Sequence, residues 1–94
     1  MFKELDPIIH SQLRLAVMSI LAGVESAEFV YLKEKTNATA GNLSVQLEKL
    51  QQAGYISIEK TFKGKYPLTL CKITLAGAEA FKKYVNDLQS YIKP

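Results

Sequence analysis

Apolar residues along this chain recur first at helical spacing, then alternate, then return to helical spacing. Ile9, Leu13, Ala16, Val17, Ile20 and Leu21 form a stripe at threes and fours, and Ile8, Leu15 and Met18 add a second apolar face. Asp6-Pro7 ahead of them is a start signal, an acidic N-cap followed by proline in the first turn, so a helix is expected over 6–22 with Gly23 as its stop. A helix apolar on two sides needs cover from more than its own domain. Ser26 is the expected cap of a shorter helix over 27–35, with Phe29, Val30 and Leu32 turned inward. After the polar turn Thr36-Asn37-Ala38-Thr39, Thr39 caps a third helix over 40–53. Leu43, Leu47 and Leu50 are its core stripe and Gly54 its end.

From Tyr55 the period becomes two. Ile56, Ile58 and Phe62 fall on one side and Tyr55, Ser57, Glu59 and Thr61 on the other, while Leu68 to Thr74 is a second strand-forming run. The five residues Lys63-Gly64-Lys65-Tyr66-Pro67 join them, predicting a hairpin over 55–74. Thr74 can cap a final helix over 75–92, whose Phe81, Tyr84, Val85, Leu88, Tyr91 and Ile92 make a seam suited to another helix. Helix, helix, tight turn, helix, hairpin, helix is the order of a winged helix-turn-helix. The expected fold is therefore α+β, mainly α. It has a three-helix core, a two-stranded β wing and a C-terminal dimerisation helix, in a single domain over 1–94.

Composition narrows the function classes. The 94 residues are 48% hydrophobic and 22% charged, which suits one small globular domain with a core that a second subunit would help complete. The net charge of +3 is unevenly placed: five lysines and one acid, Glu59, lie between Lys49 and Lys72. A local positive field of this kind steers an anionic partner to one surface. Cys71 is the one cysteine and lies in an apolar stretch, so a buried thiol is expected and a multi-cysteine metal site is not. The N-terminus lacks the order of a signal peptide and the apolar runs are short of a membrane span, so the expected location is cytoplasmic, without a membrane partner.

The third helix carries the candidate chemistry. Opposite its leucines lie Gly41, Val45, Lys49 and Gln52, with Asn42 and Ser44 on the flanks. In a helix that enters the major groove, Gly41 allows close approach, Asn42 can pair with adenine and Ser44 can meet a base or phosphate. Val45 can touch a thymine methyl, and Thr39 is placed to hold a phosphate at the helix start. Lys49, a turn later, suits a phosphate. Lys60, Lys63 and Lys65 at or beside the hairpin tip suit the DNA backbone or minor groove, and Tyr66 could stack on a sugar or pack under the wing. An ordinary solvated face would look similar on the helix alone; the lysine-tipped wing beside it favours DNA.

The run Gly41-Asn42-Leu43-Ser44-Val45-Gln46-Leu47-Glu48-Lys49-Leu50, then Ala53-Gly54-Tyr55-Ile56, resembles the recognition helix and first wing strand of winged-helix transcriptional regulators. Lys60-Thr61-Phe62-Lys63-Gly64-Lys65, followed by Thr69, Ile73-Thr74 and Gly77, resembles their wing and the start of their final helix. The likeness covers roughly Leu15 to Tyr84 and is greatest to small prokaryotic single-domain regulators related to the MarR and ArsR groups. The chain departs from the larger MarR proteins in carrying Lys63-Gly64-Lys65 where they have Asp-x-Arg, and from ArsR metal sensors in lacking a cysteine pair. The resemblance implies a homodimer on double-stranded DNA and leaves a small-molecule effector open. Ile8, Leu15, Phe81, Tyr84, Val85, Leu88, Tyr91 and Ile92 are the expected dimer interface. Two other classes compete. Catalysis finds no support, because His10 is the only histidine and no nucleophile cluster, phosphate loop or metal-ligand spacing accompanies it; no cofactor is expected. A winged helix used only for protein contact would keep the leucine core but has no need for the basic wing.

Overall fold

The computed structural model describes residues 1–92. Its elements in chain order are α1 (Gln12–Leu21), β1 (Ala27–Glu28), α2 (Phe29–Thr36), α3 (Ala40–Gln52), β2 (Ile56–Lys63), β3 (Tyr66–Ile73) and α4 (Leu75–Ile92). The strands form one antiparallel sheet in the order β1-β3-β2. α1 and α2 pack on β3, and α3 packs on β2. Between these layers lie Val17, Met18, Leu21, Leu32, Leu43 and Leu50, all fully buried, with Ile56 and Cys71 supplied by the base of the hairpin. This burial of leucine, valine and methionine from three helices is the main stabilising term, at about 1.5–3 kcal/mol per side chain.

The first helix begins six residues later than its start signal suggested. Asp6 does open a turn: its carboxylate accepts from the Ile8 N–H (2.8 Å) and its carbonyl from the His10 N–H (2.8 Å). That turn does not continue: the Ser11 N–H turns to Ile9 O (2.7 Å), and the next carbonyls meet a side chain in place of helical N–H groups. Ile8 O accepts from Arg14 Nε at 2.5 Å and Pro7 O faces the same guanidinium. Ser11 is extended (φ −154°, ψ 134°), and α1 starts after it. The arm before it crosses the molecule. Asp6 accepts from the Tyr55 hydroxyl (2.5 Å), the Lys3 N–H donates to Ser90 Oγ, the Tyr91 hydroxyl donates to Lys3 O, and Phe2 stacks on Tyr91.

The second departure is β1. Ser26 does not cap a helix; Ala27 and Glu28 pair with Cys71 and Leu70 and cover the outer edge of β3 at its base. An otherwise open edge explains why two residues of low strand propensity are extended there. α2 then starts at Phe29, and Val30, expected inside, is 60% exposed. Asn37 closes α2 in the left-handed conformation (φ 57°).

The other signals act as their chemistry suggests. Thr39 Oγ1 accepts from the Asn42 N–H (3.2 Å) and caps α3. At the far end Gly54 (φ 81°) donates to Gln51 O and Tyr55 to Leu50 O, the paired bonds of a Schellman stop. Thr74 Oγ1 accepts from the Gly77 N–H (3.0 Å) and donates to Gly54 O (2.6 Å), so one hydroxyl caps α4 and ties it to the end of α3. The hairpin is tighter than expected: strand pairing runs to Lys63↔Tyr66 and leaves a two-residue turn, Gly64-Lys65, with Gly64 at φ 64°. Pro67 is tolerated in β3 because β1 flanks only Leu70 and Cys71, well below it.

Candidate nucleic-acid interface

α3 is anchored by three leucines and leaves its opposite side bare. Gly41, Asn42, Ser44, Val45 and Lys49 are all exposed, as is the cap residue Thr39. No heavy atom lies within 4 Å of where a Gly41 Cβ would stand, so this glycine meets no demand of the fold. The two flanks of the helix differ. Ser44, Glu48 and Gln51 border an open groove of about 770 Å³ whose far wall is the wing, through Ile58, Lys60 and Thr69. Lys49 and Gln52 instead border a recess shared with Ile8 and Arg14 of the arm and first helix.

The wing separates its three lysines by role. Lys60 pairs with Thr69, and both line the groove beside α3. Lys63 closes the strand pair and Lys65 sits in the turn, so these two form the tip. Residues of a strand alternate between faces, which puts Lys60 and Lys63 on opposite faces of the hairpin. Phe62, grouped with Ile56 and Ile58 by alternation alone, lies beyond the edge of the core and is 70% exposed; Tyr66 is 78% exposed and packs under nothing. The ion pair recorded among the described residues is Lys83–Asp87 on α4. The lysines of α3 and the wing therefore have no carboxylate within 4 Å there, and their charge is available to an anion. Glu48 is the one acid within the groove; its carboxylate accepts weakly from Gln52 Nε2 (3.4 Å).

Sequence reasoning missed a polar chain behind the exposed face. Arg14 of α1 donates to Gln46 Oε1, and Gln46 Nε2 donates to Asn42 Oδ1 at 3.1 Å. Spacing within α3 could have suggested the Gln46–Asn42 pair, since they are four apart; nothing local points to Arg14.

The expected dimer residues divide. Phe81, Val85, Leu88 and Ile92 recur at fours and threes along one flank of α4, Phe81 and Leu88 half-buried and the other two exposed. Tyr84 lies on a different face: it is 2% exposed, belongs to the chain's own core and is hydrogen-bonded to His10 Nδ1 at 3.0 Å. Tyr91 is taken up by Phe2 and Lys3, and Ile8 and Leu15 are half-buried against the core. Cys71 is fully buried, which pushes its thiol up to about 11.

The family model for winged helix DNA-binding domains matches residues 13–92. The chain belongs to that family. Among its relatives is an uncharacterized protein of Methanocaldococcus jannaschii, 42% identical over 82 residues that make up 86% of this chain and 88% of the relative. This winged helix is also similar to the transcriptional regulator homologue protein from Pyrococcus horikoshii OT3, at 27% identity and TM-score 0.84, covering 90% of this chain and 84% of that one. It shares its fold with PadR of Bacillus subtilis, solved in complex with operator DNA, at 16% identity and TM-score 0.67 over 79% of this chain and 45% of that one. The family is one of DNA-binding domains, and the fold is that of the transcriptional regulator homologue from Pyrococcus horikoshii. Among the described residues, no helix of this winged helix is long and apolar enough to cross a membrane.

Proposed function

We propose that this winged helix is a sequence-specific, double-stranded DNA-binding transcriptional regulator that acts as a homodimer. The observation that carries the reading is the continuity of one surface. One flank of α3, through Ser44, Glu48 and Gln51, and the wing stand on either side of a groove next to the small, polar outer face of the helix, and every lysine on both lacks an acidic partner among the described residues. α3 presents Gly41, Asn42, Ser44 and Val45 to base edges in the major groove, while Thr39 and Lys49 hold phosphates. Lys63 and Lys65 at the tip take the backbone or minor groove, and Lys60 takes a phosphate seated in the groove. Phosphates must pass clear of Glu48, which favours the Lys60 side. The operator complex of PadR supports this use of the fold for that protein. The flank Phe81, Val85, Leu88 and Ile92 would bury itself against the same flank of a second copy, setting two reading helices about one DNA turn apart, near 34–36 Å.

The test is a fluorescence-anisotropy titration of duplex DNA between 50 and 200 mM salt. Three of these four lysines on phosphates in each of two subunits, with one at the wing tip entering the minor groove, give a slope of log affinity against log salt near −5, and roughly a thousandfold loss across that range. Lys63→Ala should flatten the slope by about 2 and weaken all duplexes alike, because each dimer loses two contacts. An absence of binding at 50 mM would refute the reading and turn attention to a protein partner.

A further inference from the structure

The polar chain behind α3 has a fixed direction. Arg14 has only donors, so the Gln46 group that meets it must be the amide oxygen, Oε1. Gln46 is then left with its nitrogen facing Asn42, and the Asn42 group that meets it must be Oδ1. The amide of Asn42 thereby has its Oδ1 committed to Gln46, and among the described residues nothing accepts from its Nδ2 hydrogens; the residue is exposed and borders an open recess with Gln12, Thr36 and Asn37. Arg14 itself cannot swing, since its Nε is held by Ile8 O and it also faces Pro7 O. Arginine polarity thus passes through two amides to an exposed side chain on the reading face.

Resting on the DNA-binding reading above, we infer that Arg14 and Gln46 are positioning residues that set the base preference of Asn42. A free asparagine can offer donor and acceptor together and so suits adenine. With Oδ1 drawn back toward Gln46, Asn42 offers chiefly donors. The base edge that matches two free N–H groups is one with two acceptors and no donor; in the major groove that edge is guanine, with N7 and O6, whereas thymine offers O4 alone. Cytosine, which presents its N4 amino group, would meet donor against donor.

Gln46→Glu tests this directly. A carboxylate still accepts from Arg14 but has nothing to donate to Asn42, so Asn42 turns its Nδ2 toward Glu and its Oδ1 outward. The expected result of selecting duplexes from a random pool is a guanine at one position of the site for the wild type. In the variant that position should change toward a base with an amino group, cytosine or adenine. The preference ratio there should move about 5- to 100-fold, while the remaining positions stay as they were. The added negative charge lowers affinity for all duplexes alike and does not produce this pattern. Arg14→Lys is the second variant: its three donors all sit on one nitrogen and cannot reproduce the separate Nε and Nη1 bonds to Ile8 O and Gln46 Oε1, and preference at the same position should relax toward equality with the salt slope unchanged. An identical selected sequence for wild type and both variants overturns the inference while leaving DNA binding intact. A wild type that binds no duplex at low salt overturns both.

Discussion

Two glycines stand near the start of two helices, and the same substitution at each should have opposite effects. Gly41 is the second residue of α3 and Gly77 the third of α4. Replacing glycine by alanine within an otherwise unconstrained helix stabilises it by up to about 1 kcal/mol, less in the first turn. At Gly41, where a methyl meets no atom within 4 Å, this smaller first-turn gain should appear without any opposing clash, as a melting temperature higher by about 2–6 °C. At Gly77 the methyl would stand 2.0 Å from Tyr55 O and 2.8 Å from its carbonyl carbon. Backbone cannot swing aside as a side-chain end does, so one strand of contact must move by more than about 1 Å. Tyr55 O is also the acceptor for the Thr74 N–H (3.0 Å), and that bond would be stretched. Overpacking of about 1–3 kcal/mol plus a hydrogen bond of about 1 kcal/mol outweighs the propensity gain. The expected net loss for Gly77→Ala is about 1–3 kcal/mol, a melting temperature lower by about 5–15 °C. Thermal unfolding followed by circular dichroism measures both. The functional half of the pair is DNA affinity: Gly41→Ala should bind its duplex about tenfold more weakly while being the more stable protein. Melting temperatures that shift the same way in both variants would refute the packing argument. Unchanged affinity in Gly41→Ala would remove close approach as the role of that glycine.

Other outcomes follow from single contacts. The Tyr55 hydroxyl donates to the Asp6 carboxylate, and this bond, with burial and the nearby charge, pushes its pKa from 10.0 up to about 12. A phenol whose folded pKa is raised contributes stability that is complete below pH 10 and is lost as pH rises toward 12. Tyr55→Phe should cost about 1–2 kcal/mol at neutral pH, and its deficit against wild type in urea unfolding should shrink between pH 10 and 12; a constant deficit would contradict the assignment. Val85→Glu places a charge in the middle of the α4 flank, and light scattering at micromolar concentration should report a monomer where the wild type is a dimer. A wild type that is itself monomeric would dispose of the proposed seam.

Local signals carried much of this fold because each acts over a few residues. Thr39 and Thr74 cap helices with hydroxyls three residues from the N–H they serve, Gly54 ends one by adopting a positive φ, and the leucines at 43, 47 and 50 lie on one face by helical geometry alone. The shift to alternation after Tyr55 likewise marks a hairpin without reference to the rest of the chain. The outer face of α3 and the lysines of the wing were legible for the same reason: what is left over once a core stripe is assigned must point elsewhere.

Tertiary contact decided the rest. Where the first turn ends, Ser11 is extended and Arg14 meets carbonyls six and seven residues earlier, so Asp6 starts an arm and not a helix. Ala27 and Glu28 are extended because an edge of β3 more than forty residues away needs partners. Tyr84 looks like a seam residue by spacing, yet the direction in which α4 lies across the core turns it inward and leaves Phe81, Val85, Leu88 and Ile92 on the flank. Phe62 follows the alternation of Ile56 and Ile58 but stands past the end of the helices that cover them. The chain from Arg14 through Gln46 to Asn42 joins residues 32 positions apart. Sequence periodicity specifies which faces exist and where elements begin; the packing of those faces determines which groups meet, and hydrogen-bond polarity between them can only be read once they do.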